Sequence, residues 1–73
     1  MLMHVFTKTF NNENELNDFV NNNVGNKYYW TIRTHCVNID GLTMTIAMRS
    51  SSSYYVRSRI CQDNGFVYER KDV

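Results

Sequence analysis

The chain has 73 residues, 42% of them hydrophobic and 14% aromatic, which is enough to pack one small domain and too much for a disordered tail. Its formal net charge of +1 selects no polyanion partner, and no apolar run approaches the length of a membrane span. With no charged-then-apolar leader and only two cysteines, Cys36 and Cys61, the chain is expected to be cytoplasmic, free of membrane and with its thiols reduced.

In chain order, Met3 to Phe10 reads as a first strand. Val5 stands on one side and Phe6 and Phe10 on the other, so both faces are expected to be partly covered. Asn11 to Asn26 reads as the single helix. Asn12 is a good N-cap with Glu15 three residues on, and Glu13, Glu15 and Asp18 favour the positive end of the helix dipole. Leu16, Phe19, Val20 and Val24 form one apolar stripe, Asn21 to Asn23 weaken the last turn, and Gly25 is placed to end it.

Tyr28 to Asn38 alternates as a long strand. Tyr28, Trp30, Ile32 and Cys36 lie on the apolar side, and Tyr29, Arg33 and His35 are among the residues on the other. Leu42, Met44, Ile46 and Met48 form the apolar side of the next strand. A three-residue loop, Ile39-Asp40-Gly41, would match those two sides, pairing Asn38 with Leu42, Cys36 with Met44 and Ile32 with Met48. Ser50 to Ser53 is a polar connection. Tyr54 to Cys61 reads as a further strand, with Tyr54, Val56 and Ile60 opposed to Tyr55, Arg57, Arg59 and Cys61. Asp63-Asn64-Gly65 then makes a turn into a last strand, Phe66 to Arg70, which pairs Gln62 with Phe66 and Ile60 with Tyr68.

The expected fold is therefore a single α+β domain over residues 1–73, in the order β-α-β-β-β-β. Its twisted, mainly antiparallel sheet carries one helix on one face. If the first strand lay beside the second, that pair would be parallel with a right-handed crossover.

One helix leaves a sheet face for a partner. On the alternation above, that face carries Tyr29, Arg33, His35, Tyr55, Arg57 and Arg59, residue types enriched where proteins meet proteins. The alternative is a nucleic acid, since arginines among tyrosines can pair with phosphates and stack on bases. The first 26 residues set Lys8 against Glu13, Glu15 and Asp18, whereas the remainder is net basic.

No catalytic residue is expected. His35 and Cys61 could share a face as a thiol–imidazole dyad, but no third group is paired with them and no loop forms a pocket. No metal or other cofactor is expected either, because His4, His35, Cys36 and Cys61 lack the close spacing of zinc ligands.

Asparagine occurs ten times and alanine once. In length and composition the chain resembles the short reading frames of phages and mobile elements in AT-rich bacterial hosts. That resemblance implies a small non-enzymatic module that binds and inhibits a host macromolecule. Exposed sheet edges add the expectation of a homo-oligomer.

Overall fold

In the computed structural model, residues 2–24, 35–50 and 54–72 are described. They form an α+β domain with two helices and an open, four-stranded antiparallel sheet. The elements are β1 (Leu2–Thr9), α1 (Glu13–Phe19) running into a π-helical turn (Val20–Val24), β2 (His35–Asp40), β3 (Thr43–Met48), α2 (Tyr54–Asp63) and β4 (Val67–Asp72). The strand order is β2-β3-β1-β4.

β1 is an inner strand, antiparallel to β3 on one side and to β4 on the other. Its position explains its weak alternation: Phe6 is fully buried beneath the helices, and Val5 on the opposite face lies between Ala47 and Glu69. β3 alternates cleanly, with Met44, Ile46 and Met48 buried and Thr43, Thr45 and Ala47 half-buried.

The β2–β3 turn corrects the expected register. Asp40 pairs with Thr43, Ile39 with Met44, Val37 with Ile46 and His35 with Met48. The loop is therefore Gly41-Leu42, not Ile39-Asp40-Gly41, and only Gly41 has a positive φ, +62°. A glycine at the first central position is what a type II′ hairpin requires. The odd positions of β2 thereby join the core side, and half-buried Val37 packs against it.

α1 begins as its sequence dictates. The Asn12 Oδ1 accepts from the Glu15 backbone N–H at 2.9 Å, and the Glu15 Oε2 accepts from the Asn11 N–H at 3.3 Å. Where three asparagines follow Val20, the helix widens to π geometry. The Asn23 side-chain amide donates to the Phe19 carbonyl at 3.2 Å, the acceptor its own N–H would use in an α-helix. Gly25 lies outside the described residues.

The larger correction is α2. Tyr54 to Cys61 is a helix, not a strand, so the order is β-α-β-β-α-β with two helices. Tyr54, Arg57, Ser58 and Cys61 turn inward at i, i+3, i+4 and i+7, while Tyr55, Val56 and Arg59 are exposed. The Asp63-Asn64-Gly65 segment closes this helix rather than a hairpin. Phe66 N–H donates to the Cys61 carbonyl at 3.0 Å and Gly65 N–H to the Gln62 carbonyl at 3.1 Å, with Gly65 at φ +80°. This is a Schellman closure, and Phe66 packs in the same cluster as Cys61. The last strand pairs with β1, setting Tyr68 against Phe6 and Val67 against Thr7.

Candidate functional site

Both helices contribute to one core that includes Phe6, Phe10, Leu16, Phe19, Met44, Ile46, Met48, Cys61 and Phe66. They therefore cover the same face of the sheet. At the α1 end, Phe10, Phe19 and Phe66 form a triangle with ring centroids 5.1 to 6.1 Å apart. Lys8 lies over the Phe10 ring at 4.8 Å and donates to the Asn64 carbonyl at 2.6 Å, a cation at the C-terminal end of α2.

The α2 end of the same core is polar. His4 has its Nδ1 2.7 Å from the Tyr68 hydroxyl and its Nε2 2.7 Å from the Ser50 Oγ. Whichever nitrogen carries the proton, two rotatable hydroxyls can complete the pair. Tyr54 covers His4 at 4.2 Å between ring centroids. Arg57 is fully buried and donates from Nε to the Met48 Sδ at 3.2 Å. Burial holds the Arg57 guanidinium below the usual arginine range, opposed by attraction to the Cys61 sulfur. Burial also pushes the Cys61 thiol up to about 12, against the pull of Arg57, which removes this buried free cysteine as a nucleophile at neutral pH. The Tyr54 phenol is raised as well, first by burial.

The residues expected to share one binding face are not brought together as drawn. Tyr29 and Arg33 lie outside the described residues, and His35 is placed only by its backbone pairing with Met48. Arg57 is in the core, whereas Tyr55 and Arg59 lie on the solvent side of α2. Helical period replaces strand period here, so Arg57 parts from Tyr55 and Arg59. The sequence reading weighed His4 only as a metal ligand, whereas the structure sets it between two hydroxyls. Its signal was there in the first segment, where His4 shares the even positions with Phe6 of β1 and Phe10 just beyond it.

Ser50, His4 and Tyr68 have the spacing of a hydroxyl beside an oriented imidazole. Two open grooves among the described residues lie elsewhere, however. One is lined by Thr7, Lys8, Thr9, Gly65, Val67 and Glu69, and the other by the α1 segment with Lys8 and Asn64. In the second groove, the side-chain amides of Asn23 and Asn64 are already bonded to the Phe19 and Ile60 carbonyls. Among the described residues, no three His, Cys, Asp or Glu side chains gather as a metal site.

That leaves the second sheet face, over which none of the described elements lies. Its rows follow from the register. Glu69, Val5 and Ala47 stand side by side, then Val67, Thr7 and Thr45, then Thr9 and Thr43. Thr9 and Thr43 hydroxyls meet at 2.8 Å, so the pair holds a fixed geometry. The centre is neutral, and charges stand at both edges: Glu69 and Lys71 on β4, and Asp40 of β2 beside Thr43. No helix among the described residues is long and apolar enough to cross a membrane. No family model, no curated protein and no solved structure matches this chain.

Proposed function

We propose that this chain is a small non-enzymatic module that binds a protein through the second face of its sheet. The observation that carries the reading is the neutral patch of Ala47, Thr7, Thr45, Thr9 and Thr43, bordered by charge on β4 and by Asp40 on β2. Such a patch suits a protein surface: methyl groups give apolar contact, hydroxyls give adaptable hydrogen bonds, and no charge at its centre must be desolvated. Its composition, which resembles that of short phage reading frames, supports reading it as a cytoplasmic inhibitor that occludes a host macromolecule.

The test compares capture from a bacterial lysate by the wild type, by Thr45→Arg at the centre of the patch, and by Arg59→Ala on α2. A defined protein lost on Thr45→Arg and kept on Arg59→Ala supports the reading. Capture indifferent to Thr45→Arg sinks it. A nucleic-acid reading would now rest on Arg59 with Tyr55. Capture abolished by nuclease, falling steeply with salt and weakened by Arg59→Ala would establish that alternative instead.

A further inference from the structure

Ser50 stands just past the end of β3, exposed, with its Oγ 2.7 Å from the His4 Nε2. The imidazole behind it is held on three sides. Its Nδ1 lies 2.7 Å from the Tyr68 hydroxyl, the Tyr54 ring covers it at 4.2 Å, and Met48 faces it across the β1–β3 ladder. His4 is itself buried, so its ring has little freedom to turn away from Ser50. In the tautomer protonated at Nδ1, that nitrogen donates to Tyr68, and the Nε2 lone pair accepts from the Ser50 hydroxyl. A hydroxyl at this distance from a base that a third group orients is an activated nucleophile.

We propose that Ser50 is a covalent modification site, acylated once per chain by a small acyl phosphate, with His4 as the base and Tyr68 as a positioning residue. The Ser50 Oγ attacks the acyl carbon. The bond from that carbon to the phosphate oxygen breaks, and phosphate leaves with the electron pair. The Ser50 proton passes to the His4 Nε2 and from there to the departing phosphate. Charge selects the donor. Arg49, the residue before Ser50, is exposed, and exposed Arg70 stands opposite His4 on β4. The acid on that face of β4, Asp72, is one pair further out, against Leu2. Two guanidinium groups near the hydroxyl favour a donor whose leaving group is an anion. Neither open groove includes Ser50, which fits a small donor and a single acylation rather than turnover. His4 shares the helix-bearing face with Phe6, so this site is independent of the open face used in the function proposed above.

The test incubates the pure protein with acetyl phosphate or with neutral p-nitrophenyl acetate and locates acetyl groups by peptide mass spectrometry. Circular dichroism verifies the fold of each variant. An ester at Ser50 is expected with both donors, with Ser51, Ser52 and Ser53 unlabelled. Hydroxylamine should remove it, which separates it from amides formed on lysine. His4→Gln keeps a hydrogen-bonding side chain without a base; it should slow the ester about a hundredfold and abolish the slowing seen in heavy water. Tyr68→Phe should slow it less and keep the heavy-water effect, because the base remains. Arg49→Ala with Arg70→Ala should slow acetyl phosphate about threefold and leave the neutral ester unchanged. Acetyl groups spread evenly over the four serines, or a His4→Gln rate equal to wild type, overturn the site. A wild-type rate in Tyr68→Phe removes the positioning role. An arginine variant that slows both donors equally, or neither, overturns the acyl phosphate. Nitrophenol release that continues past one equivalent in the wild type and is absent in Ser50→Ala overturns the single acylation.

Discussion

The two ends of the single core are held by different physics. At the α1 end, three phenylalanine rings meet Leu16 with no polar atom among their side chains. At the α2 end, His4, Arg57 and Ser58 are buried beside Tyr54 and Tyr68, and order depends on hydrogen bonds as much as on area. Apolar contact is non-directional and degrades gradually, whereas a buried polar cluster works only while each member keeps its partner. The first end should therefore account for most of the stability, and the second for the orientation of α2 on the sheet.

The largest effect that could break this contrast is at the aromatic end. Phe19→Ala should cost about 3–5 kcal/mol, close to the roughly 5 kcal/mol available to a domain of this size. Cooperative urea unfolding at 25 °C should then be nearly lost. A variant that kept a wild-type midpoint would show that the phenylalanine triangle is not the main core.

The polar end should show itself in alkali. The Cys61 thiol is raised from 9.0 in the unfolded chain to about 12 in the folded one. The unfolded state therefore ionises first. The contribution of the thiol is fully present below pH 9 and is lost as pH rises toward 12, by up to about 1.4 kcal/mol per pH unit. The raised Tyr54 phenol acts in the same direction, with its loss beginning above 10.0. Thermal midpoints measured between pH 8 and pH 11 should fall, and Cys61→Ala should flatten the slope. An unchanged slope would remove the thiol from the account.

Arg57 sharpens the same contrast. Arg57→Ala should cost about 2–4 kcal/mol, through lost packing and partners left without their donor. Arg57→Met should recover most of that in chemical denaturation, because the stem is what fills the space above Met48. Equal losses in the two variants would mean that the guanidinium itself is required. Gly65→Ala should cost about 1–2 kcal/mol, since its φ of +80° is strained for any side chain while a Cβ there meets only the Lys8 Nζ at 4.0 Å. Asn12→Ala, which removes the cap of α1, should cost about 1 kcal/mol, and a helix-specific signal should report it.

The same division separates what was legible in the sequence from what was not. The first strand, the capped start of α1 and the strand after Gly41 could be read because hydropathy, period and capping residues agree there. α2 could not be read that way. Its inward stripe is Tyr54, Arg57, Ser58 and Cys61, and two of those residues look solvent-facing to any hydropathy pattern, while Tyr54-Tyr55-Val56 carries strand-forming types. With α2 taken as a strand, Arg57 appeared beside Tyr55 and Arg59 on a common face. The hairpin register failed for a smaller reason: Gly41 suits the end of a three-residue loop as well as the start of a two-residue one, and one position decides which side chains face inward. The second sheet face emerged only once both helices were placed on the first.

The central place of β1 also bears on how the protein is made. The strand that holds the sheet together is synthesised before the other three, yet its neighbours are β3 and β4, and Leu2 must wait for Asp72. No local hairpin can shelter it meanwhile, because none of its ladder partners is close in sequence. Folding should thus be slow for so small a domain, limited by the search that closes this long loop. During that wait the nascent chain displays an unpaired strand containing Val5 and Phe6. Cells growing fast or warm would find this the period in which chaperones decide its yield.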